Sequence, residues 1–518
     1  MKGSIFPVGR VAAALTFALL AANSWAASAG ARELAGIWLP PASDTFPGIR
    51  MIEIRRHGAD AEGSMTTDWY GPMPLQNLSL DKNRARFVIH NGNPRLPLRN
   101  WVATLEAGRL HVVGDIWEQH VDFLAARGSA ADAARLAFAV QPLPALRALP
   151  DDGLARTPPM GWSSWNRFAE AIDDRTIREI ADHIVSSGLR DAGYVYVNID
   201  DGWQGVRGKD GVLGANSRFP DMKGLADYVH VRGLKLGLYS SPGPKSCAGF
   251  AGSYEHVEQD ARTWAGWGVD YLKYDLCSGE GIFRTAAAVK AAYQAMGAAL
   301  RATGRPIVFS LCQYGRDHVG QWGRDVGGHV WRTTGDITDD YRAMANIGFD
   351  HNGDPADVGP GGWNDPDMLE IGNSAMTEAE YRSHMTLWAL SAAPLLMGHD
   401  VRTMSPVTLM LLTNPEVIAI DQDPKGLAGR RIRKDGEAEI WSRRLADGSV
   451  ALGVFNRGAA PATVVLSPTD AGLASFASMR EVWARVPQNP AYLTIQLAAH
   501  DAMLLRVSGP EPASPPTR

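Results

Sequence analysis

The sequence holds no histidines at metal-ligand spacing, no glycine-rich phosphate loop, no long apolar run beyond its first thirty residues and no marked excess of either charge. Each absence removes a class of function. The histidines, among them His318, His329, His351 and His399, form neither HxH nor HExxH, which argues against a zinc centre. Carboxylates alone leave calcium as the remaining metal reading. With 51 basic and 56 acidic residues and a net charge of −5, the chain has no electrostatic footprint for nucleic acid or an anionic membrane. A membrane-inserted helix needs about 20 apolar residues, and no later stretch supplies them. Cysteine is scarce too. Cys247, Cys277 and Cys312 are all the chain has, so two can pair and leave one over, or all three can stay free. A Cys247–Cys277 bridge would close a loop of about 30 residues, worth roughly 3–4 kcal/mol in the chain-entropy picture.

What is present begins with export. Lys2 and Arg10 frame an apolar run over residues 11–22, and Ser24-Trp25-Ala26 offers a small-x-small cleavage signal. A signal peptide over 1–26 and an exported, periplasmic or secreted protein are expected. Residues 33–140 contain short alternating runs such as MIEIRRH, RARFVIHNG and RLHVVGDIW, the mark of an antiparallel β domain. QPLPALRALPDDGLARTPP, with five prolines in nineteen residues, reads as a stiff linker over 141–156.

From 157 to 423 the rhythm changes to alternating helices and strands. Asp174 can cap a helix whose residues Ile177, Ile180, Ala181, Ile184 and Val185 share a face, with Gly188 to end it. YVYVNI, LKLGLY, VDYLKYD, RPIVFSL and HVWRTTGD are strand segments that end on polar loops. Such alternation implies a parallel sheet with right-handed crossovers. Polar groups gathered at the C-terminal strand ends favour a closed (β/α)8 TIM barrel of the α/β class. An open doubly wound sheet would normally carry the missing phosphate loop. After residue 424 helices disappear, and alternating runs such as GSVALGVFNR and LTIQLAAHDAMLLRV predict a C-terminal antiparallel β-sandwich to about residue 508.

The strand ends carry Asp200, Asp201, Asp275 and Asp336, joined by Asp365 and Asp367 in GGWNDPDML. Carboxylates among aromatic residues suit carbohydrate: they accept hydrogen bonds from hydroxyls, and a pair of them can hydrolyse a glycoside. Trp165, Trp203 and Trp363 are candidate stacking faces. Lys273 and Asp275 are two apart on a strand, so both face the barrel interior, where an ammonium keeps a carboxylate ionised as a nucleophile requires. A structural ion pair is the alternative.

GLARTPPMGWSSWNRF, YVNIDDGW, LKLGLYSSPGPKSCAGFAGSYEHVEQDARTWAGWGVDYLKYDLC, WRTTGDITDD and GPGGWNDPDMLEIGN resemble, in order and spacing, glycoside hydrolase family 27, the retaining α-galactosidase and α-N-acetylgalactosaminidase family. The resemblance covers about residues 153–430. It implies Asp275 as the nucleophile and Asp336 as the general acid/base. It also implies Asp200 and Asp201 as the pair that grips the sugar's 4- and 6-hydroxyls, with Lys273, Arg332 and Asp367 as further hydroxyl contacts. Trp165 matches a stacking tryptophan and Tyr239 a pocket tyrosine. By the same resemblance Cys247 pairs with Cys277, leaving Cys312 free in the pocket wall. A galactoside oligosaccharide or polysaccharide is the expected substrate, with no cofactor.

One position departs from the family. Where it carries Cys-Glu-Trp, with the glutamate on the sugar's 2-position, this chain has Cys312, Gln313 and Tyr314. An amide still bonds a hydroxyl, and glutamine is not one of the small residues found here in enzymes that accept a 2-acetamido group, so galactose is expected. An α-N-acetylgalactosaminidase, a β-L-arabinopyranosidase, an isomaltose-releasing dextranase and a non-catalytic carbohydrate-binding barrel are the alternatives. The retaining mechanism asks Asp275 to have a low pKa and Asp336 a raised one.

Overall fold

Parallel strands set the frame of the functional half. The structure, a computed structural model, describes residues 33–512 apart from 44–45, 59, 91–97, 117–118 and 492–493. The expected signal peptide lies outside the described residues. Eight strands form one parallel sheet: Met160–Ser163, Tyr196–Asn198, Lys235–Ser240, Tyr271–Asp275, Val308–Cys312, Val330–Arg332, Trp363–Asp365 and Leu395–Met397. The first strand pairs with both the second and the eighth. The eighth meets the chain just past the seventh through a parallel bridge from Leu369 to Met397. That cyclic order is a TIM barrel and excludes the open sheet.

Helices such as Asp174–Ser186, Met222–His230, Val257–Trp267 and Ala286–Ala302 make the crossovers. The first buries Ile177, Ile180, Ala181 and Ile184, the face expected from its period. Its N-cap is Asp173, whose carboxylate accepts from the Thr176 N–H, so Asp174 is the first helical residue and not the cap.

Alternation along each strand sorts the barrel interior into layers. Tyr196, Tyr271, Val308, Val330 and Trp363 form one buried apolar cluster. Two residues further along the same strands stand Asn198, Lys273, Ser310, Arg332 and Asp365, and two further again come Asp200, Asp275, Cys312 and Asp367. The interior therefore grades from apolar at the bottom to ionic at the C-terminal face. Trp363 belongs to the bottom layer, fully buried, with its indole N–H on the Ala155 carbonyl. It cannot be a stacking platform.

Two compact units divide the described residues: one holds those up to Pro142 with Gly243–Lys245 and Ser278–Arg284, the other Leu143–Pro242, Ser246–Cys277 and those from Thr285 onward. In the first, nine antiparallel strands make a single sheet filled by Trp38, Ile52, Ile54, Met65, Phe87 and Trp101. In the second, the barrel is joined by a six-stranded antiparallel sheet, faced by the pair Ala462–Val465 and Thr494–Leu497 across a core of Ile440, Leu452, Val464, Ile495 and Leu505. Helix Glu378–Ser391 is buried at Tyr381 and from Ser383 onward because the sandwich covers its outer side. Trp483 donates to the Thr386 hydroxyl, and Arg382 pairs with Asp501 at 2.8 Å.

Candidate active site

Three interlocked groups stand at the C-terminal face of the barrel. In the first, the Lys273 ammonium reaches across to Asp200 Oδ2 at 2.9 Å. The opposite Asp200 oxygen accepts the Asp201 N–H, and the Ser164 hydroxyl holds the Asp200 N–H. In the second, one guanidinium nitrogen of buried Arg332 lies 3.1 Å from Asp336 Oδ1 and 2.9 Å from Asp367 Oδ2. Asp367 sits in the left-handed region (φ 85°), with its own N–H on Asp365 and the Ile337 and Met368 N–H groups on its carboxylate. Its oxygens are thus held by protein donors, and it acts as a clamp on the loop carrying Asp336. Asp201 is similar: it accepts from the Ala248 and Gly202 N–H groups and the Gln204 amide.

The third group surrounds Asp275. Cys247 and Cys277 form the disulfide, and Cys312 is free and buried. The Tyr239 hydroxyl lies 3.2 Å from Cys277 Sγ, and its ring lies 5.2 Å from the Lys273 ammonium. The Tyr314 hydroxyl donates to Asp275 Oδ1 at 2.5 Å. Gln313 is turned away. Its amide nitrogen donates to the Arg332 carbonyl and its oxygen accepts the Arg316 N–H, so both ends are tied to backbone and it is fully buried. Cys247, Cys277 and Asp275 bring potential ligand atoms within 4.8 Å of one another, but sulfurs joined to each other are not thiolate ligands.

The family described as alpha galactosidase A matches residues 157–423, and the one described as the alpha galactosidase C-terminal beta sandwich domain matches 435–507. The chain belongs to glycoside hydrolase family 27, the α-galactosidase family. An alpha-galactosidase of Cyamopsis tetragonoloba is 46% identical over 349 residues, 66% of this chain and 84% of the relative. Among solved structures, alpha-galactosidase I of Mortierella vinacea aligns with TM-score 0.66 and 33% identity over 70% of this chain and all of that one. The α-galactosidase of Saccharomyces cerevisiae with raffinose aligns with TM-score 0.64 and 27% identity over 70% of this chain and 99% of that one.

Two of the three tryptophans expected from residue type to be stacking faces take another role. Trp203 is fully buried, with its N–H on the Tyr239 carbonyl and Trp264 and Trp267 packed edge-on, so like Trp363 it is core. Trp165 is half-buried at the start of the short helix Trp165–Phe168, directly after the first barrel strand. The proton balance is also reversed from expectation. Burial pushes Asp275 up to about 6, although Lys273 and the Tyr314 hydroxyl pull it down. Partial desolvation by the surrounding wall opposes charge on the otherwise exposed Asp336, yet the guanidinium of Arg332 and the ammonium of Lys273 hold it below its ordinary value. Tyr314 itself was visible in the sequence only as a departure from the family motif. The turn that aims it, with Gly315 left-handed beside it, carries no periodic signal.

Proposed function

We propose that this family 27 chain is an exported, exo-acting retaining α-galactosidase that removes terminal α-D-galactosyl residues. The observation that carries this is the placement of Asp275 and Asp336 at the ends of the fourth and sixth barrel strands, each against a cation or hydroxyl donor of the same ionic layer. The relatives' names supply the sugar, and Lys2, Arg10 and the following apolar run supply the case for export.

The chemistry follows from those positions. Asp275 attacks the anomeric carbon while Asp336 gives its proton to the departing oxygen. A covalent β-glycosyl ester forms and the aglycone leaves. Asp336, now a base, takes a proton from water, which displaces Asp275 and restores the α configuration. Lys273 with Asp200, and Arg332 with Asp336, present charged groups to the sugar hydroxyls, and Trp165 offers its ring. Family 27 enzymes with glutamate at the position of Gln313 read the 2-hydroxyl directly; here both ends of Gln313 are engaged by backbone, so that reading passes to its neighbours.

Two measurements test this. An aryl glycoside panel should release phenol from the α-D-galactoside; release from another sugar alone would overturn the assignment. Asp275→Gly should be inactive in buffer and give β-galactosyl azide when azide is added, and surviving activity without azide would remove Asp275 as the nucleophile.

A further inference from the structure

The segment after the fifth barrel strand is bent against its own preference. Tyr314, Asp317 and His318 all adopt left-handed backbone, at φ 62°, 54° and 53°, with Gly315 at 76° between them. Non-glycine residues avoid that region, and such conformations persist where surrounding structure enforces them, often at functional sites. What the bend achieves is the placement of one hydroxyl. Tyr314 is brought to 2.5 Å from Asp275 Oδ1 and 3.6 Å from Cys247 Sγ, while Gln313 anchors the turn through Arg316 N–H and the Arg332 carbonyl.

We propose that Tyr314 is the positioning residue of the nucleophile: its hydroxyl holds Asp275 Oδ1, leaves Oδ2 to attack, and assists the return of the carboxylate in the second half of the reaction. The proposal rests on the retaining reading above. Other groups face Asp275 without taking this place. Lys273 is committed to Asp200, the Tyr239 hydroxyl lies at Cys277 and the Tyr293 hydroxyl donates to the Cys312 carbonyl. The Cys312 thiol also hydrogen-bonds Asp275, but a thiol is a weak donor. Asp336 is itself a carboxyl and repels the Asp275 charge. Burial and the neighbouring carboxylate keep the Tyr314 hydroxyl protonated, so it remains a donor throughout.

A donor to a carboxylate bonds the charged form more strongly than the ester. In the first step the C1–Oδ2 bond forms as the C1–aglycone bond breaks, the Asp336 proton leaves with the aglycone, and the Asp275 charge is spent. In the second, water adds to C1, its proton goes to Asp336, and the C1–Oδ2 electron pair returns to Asp275. Tyr314 therefore favours the second step. It also makes Asp275 easier to ionise.

Tyr314→Phe and Tyr314→Trp are the tests, each read beside the wild-type enzyme, with an alkyl α-D-galactoside for the pH profile and a 2,4-dinitrophenyl α-D-galactoside for the burst. Acid-side kcat/KM tracks the ease of removing the Asp275 proton, whereas alkaline-side kcat/KM tracks protonation of Asp336. Loss of the hydroxyl should lower kcat/KM by up to about tenfold on the acid side and leave the alkaline side equal or higher. Slower release from Asp275 should make kcat and KM fall together, with a burst of dinitrophenol approaching one per active site. An equal fall on both sides of the profile with KM unchanged would overturn the proposal. So would failure of both variants to fold, which would make Tyr314 a structural residue. A wild-type enzyme that leaves the galactoside intact refutes the retaining galactosidase reading instead, and the two failures are distinct.

Discussion

Remove the Lys273 ammonium and a buried carboxylate loses its cation. Asp200 is 3% exposed and Lys273 20% exposed, with 2.9 Å between them, so the pair is shielded from solvent. Taking one partner from such a pair costs about 3–5 kcal/mol, because the remaining charge stays buried and uncompensated. At roughly 2–4 °C per kcal/mol for a domain of this size, Lys273→Met should lower the barrel's melting temperature by about 10 °C. Asp200→Asn should cost less, since the freed ammonium still faces Asp275. The double variant, with both charges replaced by neutral groups of similar shape, should recover most of the loss, giving a coupling of about 2–4 kcal/mol. Differential scanning fluorimetry of the four proteins without sugar measures the cycle independently of catalysis. Additivity within about 0.5 kcal/mol would refute the idea that the pair holds the barrel's ionic layer together.

Replacing Cys247 and Cys277 together by serine opens a loop of 30 residues and should cost about 3–4 kcal/mol, seen as a lower urea midpoint against the oxidised wild type. Asp336→Asn should cost roughly 10²–10⁴ in kcat/KM for alkyl galactosides and far less for galactosyl fluoride, whose leaving group needs no proton. With Asp275 near 6 and Asp336 below it, kcat/KM should peak at acid pH and fall about tenfold per unit above pH 6; a plateau extending to pH 8 would refute that order.

The barrel was legible because its signals are periodic. Apolar period and a capping aspartate outlined Asp174–Ser186 to within a residue, and strand parity put Lys273 and Asp275 on one face. The placement of candidate residues was legible where it depends on which barrel strand or following loop they occupy, as for Asp275, Asp336 and Arg332. It was not legible where direction is set by long-range partners. Trp203 and Trp363 sit beside site residues in sequence, but carbonyls at Tyr239 and Ala155 capture their N–H groups and turn the rings into the core. Gln313 and Tyr314 exchange importance for the same kind of reason: a left-handed turn, invisible in composition, sends the amide to the backbone and the hydroxyl to Asp275.

Under the proposed roles, with Asp275 the nucleophile and Asp336 the acid, the reversed proton order comes from burial of Asp275 and from the cations beside Asp336, and the second of these also limits its cost to catalysis. Arg332 is shared between Asp336 and Asp367, so the cation that fixes the sixth and seventh strand ends also depresses the acid. Two interacting carboxyls titrate as a pair, and the singly protonated form that is catalytically useful, with the proton on Asp336, is then the minority arrangement. Its members are nevertheless better reagents. An aspartic acid of lowered pKa is a stronger proton donor to the departing oxygen, and a carboxylate of raised pKa is a stronger nucleophile. Rate responds to acidity and basicity through Brønsted slopes below one, so each gain recovers part of the lost population. Covering Asp336 with a sugar recovers more. Its side chain is 64% exposed in the free enzyme, and removing that water disfavours its charge, which draws the proton toward Asp336 at the moment of binding. The pocket can therefore tolerate a guanidinium beside its acid, because the substrate completes the environment that the acid requires.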